Sequence, residues 1–239
     1  MSDISVVPPP PTAPVQDTHP GSFPRRVADV FLSPVNLFAR FGARPPWIDV
    51  LLVSTIVGAV VFAFIPREVW VATAQEAMRS NAQAAQSGMD PAAMAGVQRI
   101  FGIVAAVVMP WIFLPIQAGI LTLLFTVFMG GNATFRQYVS VVAHAGLIGT
   151  LGALVQLPIM IQKQSVQAGI TLGSAVPGLA RDSFAFQFLN AFNVFLVWSI
   201  VVMALGVAAL NPGRVSPGKA VGVLLGVFTA IAAGVAAIF

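Results

Sequence analysis

The sequence predicts an all-α, polytopic membrane protein: a bundle of five transmembrane helices preceded by an amphipathic segment at the membrane interface. Composition is the first reason, because 57% of the 239 residues are hydrophobic and only 8% are charged, against about 25% charged in a typical soluble domain. Distribution is the second, because the 12 basic and 8 acidic residues all fall outside five long apolar runs, 50–65, 100–128, 138–161, 183–210 and 220–239. A charge at the centre of a spanning helix costs about 2.5 to 3.5 kcal/mol, so this segregation is typical of multi-span proteins.

The apolar runs predict five spans. Crossing about 30 Å of hydrocarbon takes about 20 helical residues, and every run but the first reaches that length. The first is extended because Trp47 and Trp70 bracket it as interfacial aromatics and Arg67 is long enough to reach the headgroups. Pro66 is expected to perturb its end. Short connections make spans two and three, and spans four and five, antiparallel neighbours. The predicted spans are residues 48–70, 100–128, 138–161, 183–210 and 220–239.

The chain before the first span divides into a tail and a surface segment. Residues 1–26 are proline-rich and offer little apolar surface to bury, which predicts a disordered tail. The membrane domain, 27–239, then opens with two short amphipathic helices. They lie either in the headgroup layer with their phenylalanines down, or against the end of the bundle itself. This interfacial segment contains Phe31, Ser33, Pro34, Phe38 and Phe41, with Ser33 and Pro34 at the start of the second helix.

A helical hairpin outside the bilayer is predicted between the first two spans. Residues 68–99 are rich in Ala, Gln, Met and Glu, which are good helix formers. Asp90 is expected to cap the second arm, with Pro91 at its first helical position. That arm therefore runs directly into span two.

Few polar side chains fall within the spans. The candidates are Gln117, His144, Gln156, Asn190 and Asn193. Two interpretations stay open. These groups form interhelical hydrogen bonds, each worth about 0.6 to 2 kcal/mol, or they line a polar path beside the kinks expected at Pro110 and Pro115 in span two.

Span five repeats a small residue at every fourth position. The helix-packing candidates are Gly222, Gly226, Ala230 and Gly234, and span three has a shorter version at Ala145, Gly149 and Ala153. Such faces allow helix backbones to approach closely. The expectation is packing within this chain or against another subunit.

Several function classes have no residues to support them. The basic residues are scattered singly or in pairs, which argues against nucleic-acid binding. Cysteine is absent from the sequence, and the five apolar runs hold a single histidine and no carboxylate, so no metal site is expected. Phosphate-loop, flavin, haem and serine-hydrolase motifs are also lacking, and we expect neither an enzyme nor a cofactor.

The distribution of Lys and Arg suggests an orientation. Basic residues are denser in the segments that share a side with the amino terminus, which favours a cytoplasmic amino terminus and a periplasmic carboxyl terminus. The first span would direct insertion, since no cleavable signal peptide is visible.

Three stretches resemble the Yip family, integral membrane proteins named for interacting with Ypt/Rab GTPases, in its bacterial branch. They are VFLSPVNLFARF at 30–41, GGNATFRQYVSVVAHA at 130–145 and FLNAFNVFLVWSIVVMALGVA at 188–208. One residue departs from the family pattern, because Asn193 stands where many relatives carry Asp. The resemblance covers nearly everything after Val30.

The resemblance implies a function at the level of the membrane. Eukaryotic members are associated with vesicle budding and fusion through Rab proteins, while bacterial relatives imply an inner-membrane protein of unassigned role. We therefore expect a non-enzymatic protein of the bacterial inner membrane that organises or binds lipids, a membrane-protein partner or a second copy of itself. The alternative is a channel or transporter for a small solute, using a polar path between kinked helices.

Overall fold

The computed structural model describes residues 19–80, 86, 88–180 and 183–238, and most of them are helical. The predicted tail, residues 1–26, lies largely outside this range. Its last residues enter the first helix, which begins at Phe23, because Pro24 suits the first turn of a helix.

Ten helices are described, numbered here in chain order. A π-helical stretch, Thr122–Phe128, continues α5. The helices are α1 (Phe23–Leu32), α2 (Pro34–Ala39), α3 (Ile48–Phe64), α4 (Arg67–Ser80), α5 (Pro91–Leu121), α6 (Phe135–Gln162), α7 (Leu172–Ala175), α8 (Phe184–Asn190), α9 (Val194–Leu210) and α10 (Pro217–Ile238).

Helix α6 is the centre of the bundle and packs against α3, α5 and α9. Tyr138, Val141, Ala145 and Ile148 on this helix are fully buried. A capping box starts the helix, because Thr134 accepts from the Gln137 N–H at 3.3 Å while the Gln137 side chain accepts from the Thr134 N–H at 2.8 Å. The predicted third span is thus a continuous helix.

The predicted first span is broken near its end. Helix α3 stops at Phe64, and α4 leaves it at an angle of 82°. Pro66 explains the break, since proline has no N–H to donate and keeps the preceding residue out of helical conformation. Ile65 is accordingly extended, with φ −65° and ψ 121°.

The predicted fourth span is also divided. Helix α8 ends at Asn190, and α9 begins only at Val194. Asn193 causes the second helix to start there, because its Oδ1 accepts from the Phe195 N–H at 2.9 Å as a helix cap. The apolar run 183–210 therefore contains two helices, and α9 has 17 residues.

Three of the described helical segments are long and apolar enough to cross a membrane: 91–128, 135–162 and 217–238. The bent pair α3 and α4 would make a fourth if it is one span. Asp90 caps α5 by accepting from the Ala93 N–H at 3.3 Å, with Pro91 at the first helical position, so the predicted start of the hairpin's second arm is confirmed. The protein is an all-helical, multi-pass membrane protein with three to four candidate spans.

Candidate functional site

The amino-terminal segment packs into one end of the bundle. This end is called the basic end here because Arg26, Arg40 and Arg214 lie there. Phe38 and Phe41 are buried, and α2 packs against α9. Gly206 makes this possible, because a Cβ there would lie 2.9 Å from Phe38 Cδ2 and 2.8 Å from Val141 Cγ1. The structure favours the second placement for both phenylalanines, against the protein instead of in the headgroup layer.

The other residues of this segment are more accessible. Phe31 is half-buried and makes an edge contact with Trp198, with ring centroids 5.7 Å apart. Ser33 lies at the start of α2 but its side chain makes no capping hydrogen bond, whereas Pro34 occupies the first helical position as predicted.

One ion pair fixes the segment to the basic end, and a second joins its two helices. The buried Arg26 guanidinium pairs with Asp49 at the start of α3, and Arg40 pairs with Asp29. Arg26 also donates to the Gly21 carbonyl at 3.3 Å. The first pair therefore holds α1 against α3, and the second holds α2 against α1.

A buried amide, Asn211, connects three elements at the same end. Its Oδ1 accepts from the N–H groups of Asn132 and Ala133 at 2.8 and 3.0 Å. Its Nδ2 donates to Tyr138 Oη at 3.1 Å and to the Val207 carbonyl at 2.8 Å. Every hydrogen-bonding capacity of the amide is satisfied, which joins α6, α9 and the loop before α6.

Gly131 accounts for the glycine pair in that loop. A Cβ at this position would lie 2.4 Å from Asn211 Oδ1 and 2.6 Å from the Phe125 carbonyl oxygen. The Gly131 N–H donates to that same carbonyl at 2.8 Å. Only glycine fits between the π-helical end of α5 and the buried amide.

His144 is fully buried beneath the amino-terminal segment. Its Nδ1 lies 2.8 Å from the Ser140 carbonyl oxygen, to which it donates, and its ring lies 5.2 Å from that of Phe41. Nε2 makes no hydrogen bond among the described residues. The histidine packs locally and does not meet the other candidate polar residues.

Three candidate amides lie at the opposite end of the bundle. Asn193 Nδ2 donates to Gln156 Oε1 at 2.9 Å, and Gln156 Nε2 donates to the Gly152 carbonyl at 3.0 Å. Asn190 Oδ1 accepts from Thr171 Oγ1 at 2.7 Å. These amides therefore join α6, the loop after it and the broken fourth segment by direct hydrogen bonds.

Gln117 is separate from that cluster and is exposed. It lines a groove of about 340 Å³ between α3, α5 and α6, together with Pro110 and Thr150. The groove walls are mainly apolar and include Gly146 and Gly149. Both Pro110 and Pro115 lie inside α5, as expected for span two.

The small-residue repeat of α10 is on the outside of the described bundle. Gly222, Gly226, Ala230 and Gly234 are all exposed. A Cβ at any of the three glycines would meet nothing within 4 Å. The repeat was expected to pack either within this chain or against another subunit. Among the described residues, no other helix of the chain comes close to it. The shorter repeat on α6 is divided: the buried Ala145 accepts from Ser199 Oγ at 2.9 Å through its carbonyl, whereas Gly149 is exposed and a Cβ there would meet nothing within 4 Å.

The described residues contain no group of three or more His, Asp or Glu side chains that could hold a metal ion. Asn211, whose side chain makes four hydrogen bonds, was not among the predicted candidates. Its signal in the sequence is weak, because Asn followed by Pro-Gly reads as a loop. The pairing of Asn211 with a glycine 80 positions earlier depends on tertiary structure.

Comparison with known families supports the resemblance drawn from the sequence. The family model of the Yip1 domain matches residues 28–238, which is most of the chain. Searches of curated proteins and of solved structures found no match. The matched range includes the amino-terminal segment, the loop anchored by Asn211 and both amide-linked helices of the fourth segment. This multi-pass membrane protein therefore belongs to the Yip1 domain family.

Proposed function

We propose that the protein is a non-enzymatic membrane protein that organises or binds other membrane components. One observation carries this proposal: four of the five candidate polar side chains bond to other side chains or to backbone, and only Gln117 among the five lines the groove. Gln156 pairs with Asn193, Asn190 with Thr171, and His144 with the Ser140 backbone. Side chains used in this way stabilise helix contacts, and function is left to the surfaces.

The outer surface offers large apolar areas for such contacts. On α5, Phe101 is 69% exposed, and many of its other large side chains are also exposed. Part of this area faces lipid in any membrane protein. The exposed small-residue face of α10 adds a surface on which a second helix could approach closely.

We further propose five crossings in a bacterial inner membrane, with the amino terminus in the cytoplasm. Helices α3, α5, α6, α9 and α10 would be the five crossings, each running between the basic end and the opposite end. The cytoplasmic assignment of the basic end follows from its Lys and Arg content. Those residues are Arg25, Arg26, Arg40, Arg44, Arg136, Arg214 and Lys219.

Photo-cross-linking in intact membranes tests the binding function. A photoreactive amino acid at Phe101 or at Gly226 should give discrete adducts with lipid, with a membrane protein or with a second copy of the chain. The same amino acid at the fully buried Ile148 is the matched control and should give adducts only within the chain. If the exposed positions give no more external adducts than Ile148, the proposal fails.

The rival function, passage of a small solute, is favoured only by the groove that Gln117 and Pro110 line. Reconstituted vesicles provide the test. Solute flux that falls in Gln117→Leu but not in Asn193→Leu would support a path through this groove. Flux equal to that of protein-free vesicles would remove the rival.

A further inference from the structure

A second cavity, of about 450 Å³, lies at the basic end between α2, α9 and the start of α10. Its lining is part polar and part apolar. Arg214, Ser216 and Lys219 contribute polar groups, while Leu205 and Val35 contribute apolar surface. None of its lining residues is acidic. Its charge and its apolar residues therefore suit an amphipathic anion.

The two cations of the cavity are available to a ligand. Arg214 uses one N–H to donate to the Gly130 carbonyl at 2.8 Å, which fixes the guanidinium and leaves other donors unused. Lys219 is exposed. Neither residue forms an ion pair with an acidic side chain in the described chain, whereas Arg26 and Arg40 at the same end are paired with aspartates.

The start of α10 adds to the positive potential. Ser216 precedes Pro217 at the first helical position and accepts from the Lys219 N–H at 3.4 Å. The positive end of this 22-residue helix therefore points towards the same cavity as both cations. Phosphate groups are commonly held by such a combination of helix start, hydroxyl and cations.

We propose that this cavity binds the phosphate of an anionic phospholipid, with the acyl chains lying along Leu205 and Val35. The apolar lining residues favour a lipid over free phosphate, because a soluble phosphate would use only the polar groups. Basic pockets at the cytoplasmic side of membrane helices bind anionic headgroups by the same physical principle. The inference rests on the proposed function, since it requires the basic end to lie at a membrane surface.

Lipid titration of the purified full-length protein in mild detergent, followed by native mass spectrometry, tests the site. Phosphatidylglycerol should bind more tightly than phosphatidylcholine, which carries the same phosphate without net charge. The double variant Arg214→Gln, Lys219→Gln should bind phosphatidylglycerol about 30-fold more weakly, as expected for two surface cations. The matched control, Arg67→Gln with Lys163→Gln at the opposite end, loses the same charge and should stay within about twofold of wild type.

Equal weakening in both double variants would overturn the site, because it would show a general effect of net charge. Lys219→Gln alone leaves the contact between Arg214 and Gly130 intact, so its effect does not depend on that loop. It should weaken binding about fivefold, and wild-type affinity in a variant with unchanged thermal unfolding would overturn the proposal.

Glycerol 3-phosphate distinguishes the two sources of phosphate. In large excess it should not displace phosphatidylglycerol, and displacement would show that the cavity is a site for soluble phosphate instead. Cross-links from Phe101 and Gly226 should persist in the Arg214, Lys219 double variant. If the double variant loses phosphatidylglycerol binding but keeps these cross-links, the lipid site and the proposed function have been tested separately.

Discussion

Two long neighbouring helices, α5 and α6, are both apolar and are buried to opposite extents. In the most hydrophobic 18-residue stretch of the segment 91–128, 11% of the residues are buried. In the corresponding stretch of the segment 135–162, 61% are buried. The buried helix is the one that carries Ser140, His144 and Gln156. The exposed one presents large apolar side chains such as Phe101 and Phe113.

The comparison follows from the solvent. Lipid tails are as apolar as leucine, so hydrophobicity alone does not drive a helix into the interior of a membrane protein. Small side chains that permit close approach, and polar groups that need partners, favour burial instead. Helix α6 provides both, with Gly152 against Phe195 and Ser140 bonded to the Pro46 carbonyl at 2.7 Å.

The largest effect is expected from Asn211, which connects the start of α6 to α9. Asn211→Leu leaves the N–H groups of Asn132 and Ala133 without their acceptor in a buried site. At about 1 to 3 kcal/mol for each unpaired group, the free energy of unfolding should fall by about 4 kcal/mol. Denaturant unfolding in detergent measures this, and Asn132→Ala, which removes only an exposed side chain, is the control. A loss below about 1 kcal/mol would show that the amide does not hold the loop.

A matched pair of isoleucines tests the comparison directly. Ile148→Ala on α6 removes a side chain that is fully buried, and should cost about 3 kcal/mol through lost contacts and a cavity. Ile116→Ala on α5 removes one that is 50% exposed, and should cost less than about 1 kcal/mol. Thermal unfolding of both variants in the same detergent gives the answer. Equal losses would mean that α5 is as closely packed as α6.

Glycines provide a third test, one step smaller. Gly206→Ala places a methyl group within 3 Å of Phe38 and Val141, so it should cost about 2 kcal/mol by overpacking. Gly226→Ala on the outer face of α10 meets nothing within 4 Å and should change the unfolding free energy by less than about 1 kcal/mol. Monomeric protein in dilute detergent is required for this measurement. A larger loss of unfolding free energy for Gly226→Ala than for Gly206→Ala would show that the glycine face of α10 is packed against other atoms instead of exposed.

Sequence reasoning located the apolar helices because charge segregation and helix length are local properties. It also placed Asp90 and Pro91 at the start of α5, since capping depends on adjacent residues. It predicted residues 48–70 and 183–210 as one span each. Pro66 indicated a perturbation near the end of the first, but the hydropathy pattern records neither the 82° bend there nor the helix start that Asn193 caps. The exposed face of α10 and the burial of Asn211 could not be predicted in this way. Both depend on contacts between distant parts of the chain.

The smallest effect is expected from the amide pair at the opposite end. Gln156→Leu removes the hydrogen bond from Asn193 and should cost about 1 kcal/mol, close to the average for such bonds in membranes. Gln117→Leu, at an exposed amide of the same type on α5, should leave stability unchanged within about 0.5 kcal/mol. A double-mutant cycle with Asn193→Leu separates the pair from the cap that Asn193 also forms, because Gln156 takes no part in the cap. A coupling near zero would show that these amides are neighbours without stabilising each other. A coupling free energy close to the full cost of Gln156→Leu would mean that the polar side chains of α6 stabilise its contacts with neighbouring helices. That result would agree with the greater burial of α6 relative to α5.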